Sequence, residues 1–214
     1  MKKLLQISLA LATALGALTA QAQDVKAGET KVAMCIGCHG IVGYQASFPE
    51  IHKVPMIAGQ NAKYIVAALQ AYAKGDRKHP TMRGIAGSLS DQDMADVAAF
   101  YEAQAKLPAV ADSVPAAPAN VAEPLTKGAC ISCHGANFSK PIDPTYPKLA
   151  GQHADYLTVA LKSYKTEKNA SVGRGNAIMA GQVKQFSNAE LKAIANYIAS
   201  LPTELATVPQ GKFR

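Results

Sequence analysis

Cys35, Cys38 and His39 form a Cys-x-x-Cys-His run, and Cys130, Cys133 and His134 form a second one. Together the two runs use all four cysteines of a 214-residue chain. The pattern reads as c-type haem attachment. Two thiols three positions apart on a helical turn can each form a thioether with one haem vinyl group. The adjacent histidine then turns its imidazole onto the iron. This predicts two covalently bound haem c groups. Three rival chemistries fit less well. A zinc site built from two Cys-x-x-Cys pairs usually spaces them about 15 to 20 residues apart, whereas 91 residues separate Cys38 from Cys130. A disulfide oxidoreductase would use one such pair near a βαβ pattern, and no alternating strand pattern is visible. Structural disulfides would leave both histidines without a reason.

The other axial position decides what each iron can do. A methionine thioether closes the coordination sphere and raises the potential, which suits electron transfer; an open position would suit binding or activating a small molecule. An internal repeat sorts the candidates. Residues 55–72 (PMIAGQNAKYIVAALQAY) align with 147–164 (PKLAGQHADYLTVALKSY), and 82–101 align with 179–198. Of Met34, Met56, Met82, Met94 and Met179, only Met82 and Met179 match each other. They lie 43 and 45 residues after His39 and His134, in stretches expected to be non-helical loops reaching across a haem. The metal ligands expected are therefore His39 with Met82, and His134 with Met179. A first haem with His79 as its second histidine ligand is the alternative. Otherwise His79, which aligns with Asn176, and His52 and His153 read as solvated surface residues. Pro55 and Pro147 are candidates to offer the backbone carbonyl that a ligating histidine normally bonds through its second ring N–H.

The elements that must position these groups repeat as well. Each copy supports three helices. One runs into the Cys motif, from about Val25 to Cys35 and from Val121 to Cys130. A middle one covers about Asn61 to Lys74 and His153 to Lys165, with Tyr64, Ala68, Tyr72 and Tyr156, Ala160, Tyr164 at helical spacing. These tyrosines read as core or pocket residues. The last helix starts at Ser90 and at Ser187, where Ser187 with Glu190 fits a capping box and Ser90 with Asp93 resembles one. Leu107-Pro108 and Leu201-Pro202 stop these helices. The repeat unit is too long for a solenoid, so the chain is a duplicated domain. The expected layout is a signal peptide over 1–22, a first domain over 23–108, a Pro/Ala-rich extended linker over 109–120, a second domain over 121–203 and a tail over 204–214 with no assigned role. A domain of this size has a marginal core, which a covalently held macrocycle would complete.

Lys2 and Lys3, the apolar run Leu4–Leu18 and Ala20-Gln21-Ala22 read as a cleaved export signal. That run is short for a span of about 20 residues. The formal charge is +7. Residues 23–112 hold nine basic and nine acidic side chains, and residues 113–214 hold eleven against six. Such a polarised molecule orients in the field of a charged partner. Export, spread-out lysines and the lack of a basic-aromatic cluster speak against nucleic acid as that partner.

The duplication, the two Cys-x-x-Cys-His runs, the Pro-x-x-Ala-Gly-Gln stretches and the Met-to-Ser stretches resemble the dihaem cytochrome c4 family of tandem class I cytochromes c. The resemblance covers roughly residues 24–203. It implies an all-α fold of two class I cytochrome c domains packed face to face, each around one haem, with His/Met ligation. It also implies that Pro55 and Pro147 accept from His39 and His134. The function it implies is a periplasmic electron carrier rather than an enzyme. Donor and acceptor would be a quinol–cytochrome c reductase and a terminal haem–copper oxidase, with loose attachment to the membrane. Thr81 and Ile178 stand where many relatives have a second methionine. Alternatives are the electron-accepting subunit of a dehydrogenase of the flavocytochrome type, or a dihaem oxidoreductase such as a thiosulfate dehydrogenase or a peroxidase.

Overall fold

A computed structural model describes residues 23–104 and 107–210; the expected signal peptide over 1–22 and the last four residues of the tail lie outside them. The first half contains α1 (Val25–Lys31), α2 (Ala33–His39), α3 (Ala62–Lys74), α4 (Pro80–Gly87) and α5 (Asp91–Gln104). The second contains α6 (Ala119–Lys127), α7 (Cys130–His134), α8 (Ala154–Tyr164), α9 (Ala177–Val183) and α10 (Asn188–Ala199). The only strands among the described residues are four two-residue pieces: β1 (Gln45–Ala46), β2 (His52–Lys53), β3 (Arg77–Lys78) and β4 (Gly173–Arg174). The fold is all-α, as two tandem class I cytochrome c domains require.

The middle helices fall where their apolar spacing places them. The last helices also start as expected. Ser187 Oγ accepts from Glu190 N, and Glu190 Oε2 accepts from Ser187 N at 2.7 Å. Ser90 and Asp93 make the same reciprocal pair at 3.1 Å in both directions. Two expectations need correction. The helix leading into each Cys motif is broken rather than continuous. Val32 (φ −85°, ψ 6°) leaves helical geometry and turns its side chain into the core at 4% exposure. Gly128 and the left-handed Ala129 (φ 46°) make the break in the second half. The stretches carrying Met82 and Met179 are also not loops, since they open the short helices α4 and α9.

Each half closes its core where its first helix crosses its last. In the first half α1 crosses α5 so closely that a side chain at Gly28 would run into the Asp96 carbonyl. That core holds Val32, Ile65, Leu69, Met94, Val97 and Phe100. The second half is built on Val121, Leu125, Leu157, Ile194 and Ile198, with a separate small cluster of Val183, Phe186 and Leu191. At the edge of the first core, Lys31 bridges Asp93 at 2.8 Å and Asp96 at 2.7 Å, tying α1 to α5.

The halves meet along a seam with approximate two-fold character. Gln60 Nε2 donates to the Lys148 carbonyl at 2.9 Å, and Lys148 N donates back to Gln60 Oε1 at 2.9 Å. Gln152 repeats this with Met56, donating to its carbonyl at 2.9 Å and accepting from its N–H at 3.0 Å. Both glutamines are 3% exposed. They are the repeated Gln of the Ala-Gly-Gln stretches, and each reads the backbone four residues before the other. β3 pairs with β4 across the same seam, Arg77 opposite Arg174. Ionic contacts run from Lys162 to Glu50 at 2.7 Å and from Lys53 to Asp155 at 3.5 Å.

The linker is extended, as its composition suggests, but it is fastened. Val110 is buried and its N–H donates to Glu204, the Ala111 carbonyl accepts from Asn137, and the Pro115 carbonyl accepts from the Tyr197 hydroxyl. The tail, to which the sequence assigns no role, buries Leu205 at 2% exposure. It then forms an antiparallel bridge from Ala206 to Ala58 of the first half.

Candidate functional site

In both halves the Cys motif is a short helix ending on its histidine, so its side chains fan around one turn. No disulfide joins any of the four cysteines. Among the described residues no group of three or more His, Cys, Asp or Glu side chains gathers to hold a metal ion, so the two Cys pairs are not brought together as a zinc site would need. The second half of the chain thus repeats a separate site instead of completing the first.

The histidines carry the clearest geometry. His39 Nδ1 lies 2.9 Å from the Pro55 carbonyl, and His134 Nδ1 lies 3.4 Å from that of Pro147. A carbonyl can only accept, so each imidazole donates from Nδ1. That fixes the tautomer and leaves Nε2 with a lone pair for a metal. Loss of solvation pushes both imidazoles below their ordinary value, with the proline carbonyl opposing it. Each ring is thereby kept neutral, as a ligand must be. Burial likewise pushes the Cys35 thiol up to about 11 and raises that of Cys130.

The methionines separate as the repeat suggests. Met94 is a core residue at 3% exposure and Met34 lies 51% exposed. Met56 serves the seam through its backbone. Met82 and Met179 are partly buried at the third position of α4 and α9. Their helices start in the same unusual way. The His79 ring accepts from Met82 N at 3.4 Å, and Asn176 Oδ1 accepts from Met179 N at 2.9 Å. The His79–Asn176 correspondence is therefore a shared helix cap. This role commits His79 Nδ1 to capping α4. His52 is not solvated as expected. It is 5% exposed, its Nδ1 donates to the Glu50 carbonyl at 2.7 Å, and its ring lies 6.2 Å from that of Tyr156 in the other half.

The donor set fits haem c in both halves: two thiols, one neutral imidazole with a free Nε2, and one matched thioether. In the first half Cys35 and Met82 pack against the same core. In the second, Cys130 packs on the Val121–Ile198 cluster and Met179 on the Val183–Phe186 cluster, two apolar surfaces that one macrocycle could join. The buried Tyr101 hydroxyl lies beside the Cys35 thiol.

One feature of the seam escapes a sequence reading. Arg77 and Arg174 are partly buried among Tyr64, Tyr72, Tyr156 and Tyr164, with guanidinium-to-ring distances from 4.6 to 5.9 Å. The available signal was positional, since each arginine stands five residues before its methionine in both copies.

The cytochrome c family model matches twice, over residues 25–103 and 120–202. The chain is similar to a cytochrome c4 of Stutzerimonas stutzeri, 33% identical over 212 residues, 91% of this chain and 97% of that protein. A thiosulfate dehydrogenase electron acceptor of Stutzerimonas stutzeri strain A1501 is 32% identical over 209 residues, 89% of this chain and 92% of that protein. The crystal structure of reduced recombinant cytochrome c4 from Pseudomonas stutzeri superposes with a TM-score of 0.62 at 31% identity, covering 85% of this chain and all of that one.

Proposed function

Because the chain belongs to the dihaem cytochrome c4 family and carries two covalent haem c groups, we propose that it is a periplasmic carrier taking electrons from a quinol–cytochrome c reductase toward a haem–copper oxidase. The family's members are electron carriers with redox proteins as partners. In this reading Cys35 and Cys38 would hold one haem by thioethers, and His39 and Met82 would ligate its iron. Cys130, Cys133, His134 and Met179 would do the same for the other. When bound, each haem supplies a one-electron ferrous–ferric couple. The protein's part is to hold the neutral imidazoles by the Pro55 and Pro147 carbonyls and to keep water from the metal. The observation that carries the reading is the matched pair: both halves present a tautomer-fixed histidine and a capped helix bearing a methionine. With a histidine and a methionine both given to the iron, the protein would leave no coordination position for a substrate.

Export would be directed by residues 1–22. No helix among the described residues is long and apolar enough to cross a membrane. Loose attachment at the membrane surface is part of the reading proposed here. The excess of basic residues after position 112 favours docking on an acidic partner, by a field that salt screens over about 8 to 10 Å. The test is stopped-flow oxidation of the ferrous holoprotein by a purified haem–copper oxidase. Rapid oxidation of both haems, slowing as salt rises, is expected. No oxidation, or avid carbon monoxide binding by the ferrous protein, would overturn the reading.

A second reading has a specific observation behind it: similarity over nearly the whole chain to proteins named as electron acceptors of thiosulfate dehydrogenase. The same two domains would then receive electrons from a dehydrogenase. Reduction of the holoprotein by a purified thiosulfate dehydrogenase plus thiosulfate, at a rate exceeding that with the quinol–cytochrome c reductase, would favour it.

A further inference from the structure

The two halves repeat one another closely, and a departure inside their cores separates them. The last helix of each half takes the same backbone contact. Gly59 N donates to the Tyr101 carbonyl at 2.8 Å, and Gly151 N donates to the Ile198 carbonyl at 2.9 Å. Gly59 and Gly151 are the repeated glycines of the Ala-Gly-Gln stretches, and positions 101 and 198 correspond in the repeat. Both side chains are turned inward, Tyr101 at 3% exposure and Ile198 at 4%. They belong to the cores against which Cys35 and Cys130 pack. One position at one depth thus holds a phenol in the first half and a hydrocarbon in the second.

The phenol faces a sulfur. The Tyr101 hydroxyl lies beside the Cys35 thiol. Phe100 meets the Tyr101 ring edge-on, with centroids 5.3 Å apart at 73°. The core around them is built mainly of hydrocarbon, from Val32, Ile36, Ile65, Leu69 and Val97. Burial raises the Tyr101 hydroxyl above its ordinary value, so it keeps its proton. Beside Cys130 no such hydroxyl acts; the polar groups felt by that thiol are its own backbone and Cys133.

Haem attachment changes what the Tyr101–Cys35 contact must be. When a thiol adds across a vinyl group, sulfur bonds to one carbon and its hydrogen passes to the other. The sulfur that remains can only accept. The buried hydroxyl beside it is then the donor, since a buried donor left unmet is costly.

We infer that the Tyr101 hydroxyl donates to the thioether sulfur of Cys35 and thereby favours the ferrous state of the first haem, a bias the second haem lacks because Ile198 fills the matching position. The donated hydrogen brings the positive end of the O–H dipole to a sulfur bonded to the macrocycle, and hydrogen bonds of this kind tune a haem toward the state with one more electron. The inference rests on haem attachment at Cys35, as proposed above, and not on the choice of redox partner.

The test compares the holoprotein with Tyr101→Phe, which removes one oxygen and keeps the ring. A pyridine haemochrome count on the unaltered protein checks attachment separately; fewer than two haems per chain would overturn that premise and the inference with it. A redox titration followed by proton NMR, which separates the two haems, is expected to show the first haem's ferrous-to-ferric ratio at fixed potential lowered roughly two- to fivefold in the variant, the scale of part of one net hydrogen bond. The second haem does not move. Tyr197→Phe removes a hydroxyl from the matching helix, where it serves the Pro115 carbonyl, and leaves both haems unmoved. No shift, an equal shift of both haems, or a rise at the first would overturn the inference. Should Tyr101→Phe fail to assemble, the unaltered protein decides by a signal that core packing alone would not produce. In the diamagnetic ferrous form the Tyr101 hydroxyl proton is expected as a slowly exchanging resonance with a cross-peak to the thioether protons at Cys35. A hydroxyl bonded elsewhere, or one exchanging too fast to be seen, would refute the donation.

Discussion

Replacing Gln152 with Ala tests how the two halves are held together. Gln152 Nε2 donates to the Met56 carbonyl at 2.9 Å, and its Oε1 accepts from Met56 N at 3.0 Å. The same oxygen accepts from His153 N at 3.1 Å. Each net hydrogen bond contributes about 1 kcal/mol, and each polar group left unmet costs about 1–3 kcal/mol. Met56 is only partly buried, so water can reach its freed groups once the side chain is gone. The lower part of that range applies, about 2–3 kcal/mol. If the halves unfold together, such a loss lowers Tm by roughly 5–10 °C in a chain of this length. Calorimetry of the holoprotein gives the Tm, and hydrogen exchange at the Met56 amide locates the effect. By the approximate two-fold relation, Gln60→Ala should do the same and expose the Lys148 amide. An unchanged Tm together with unchanged Met56 protection would refute the idea that these glutamines clamp the seam.

Further outcomes follow from the two sites and the first core. Cys35→Ala with Cys38→Ala should halve the haem count and reduce helical circular dichroism from the first half, because a small domain depends on the macrocycle for its core. Met82→Ala and Met179→Ala should each lower the potential of one haem, abolish its sulfur-to-iron charge-transfer band and let the ferrous form bind carbon monoxide. Asp96→Asn should destabilise the protein at neutral pH and flatten its acid-denaturation curve. The hydrogen bond from Lys31 lowers the Asp96 carboxyl below its ordinary value of 3.8, so its contribution is complete above that value and is lost as pH falls through the lowered one. Urea unfolding at pH 7 and at pH 3 measures the difference.

Much of this was legible because the chain states its design twice. A pattern occurring once is ambiguous, but Met82 with Met179 and Pro55 with Pro147 stand out against positions that do not repeat. The middle helices were legible for a different reason: eleven or more residues at helical spacing bury one face. The helices bearing the methionines were not. Gly84, Gly87 and Gly181 lie within them, glycine is a poor helix former, and the turns are held by His79 and Asn176 as caps. The burial of His52, the role of the tail and the arginine pair were hidden too, because each arises where residues more than 90 positions apart meet. No local pattern encodes that meeting.

The glutamine exchange has a consequence for how the chain came to be one piece. Each half carries both the reading side chain and the backbone that is read, so the patch is isologous. A single half therefore presents both sides of this exchange. Joining the copies through residues 109–120 replaces a bimolecular association with an intramolecular one, at an effective concentration on the order of millimolar for a short tether. The distance between the two redox centres then stops depending on how much protein a cell makes.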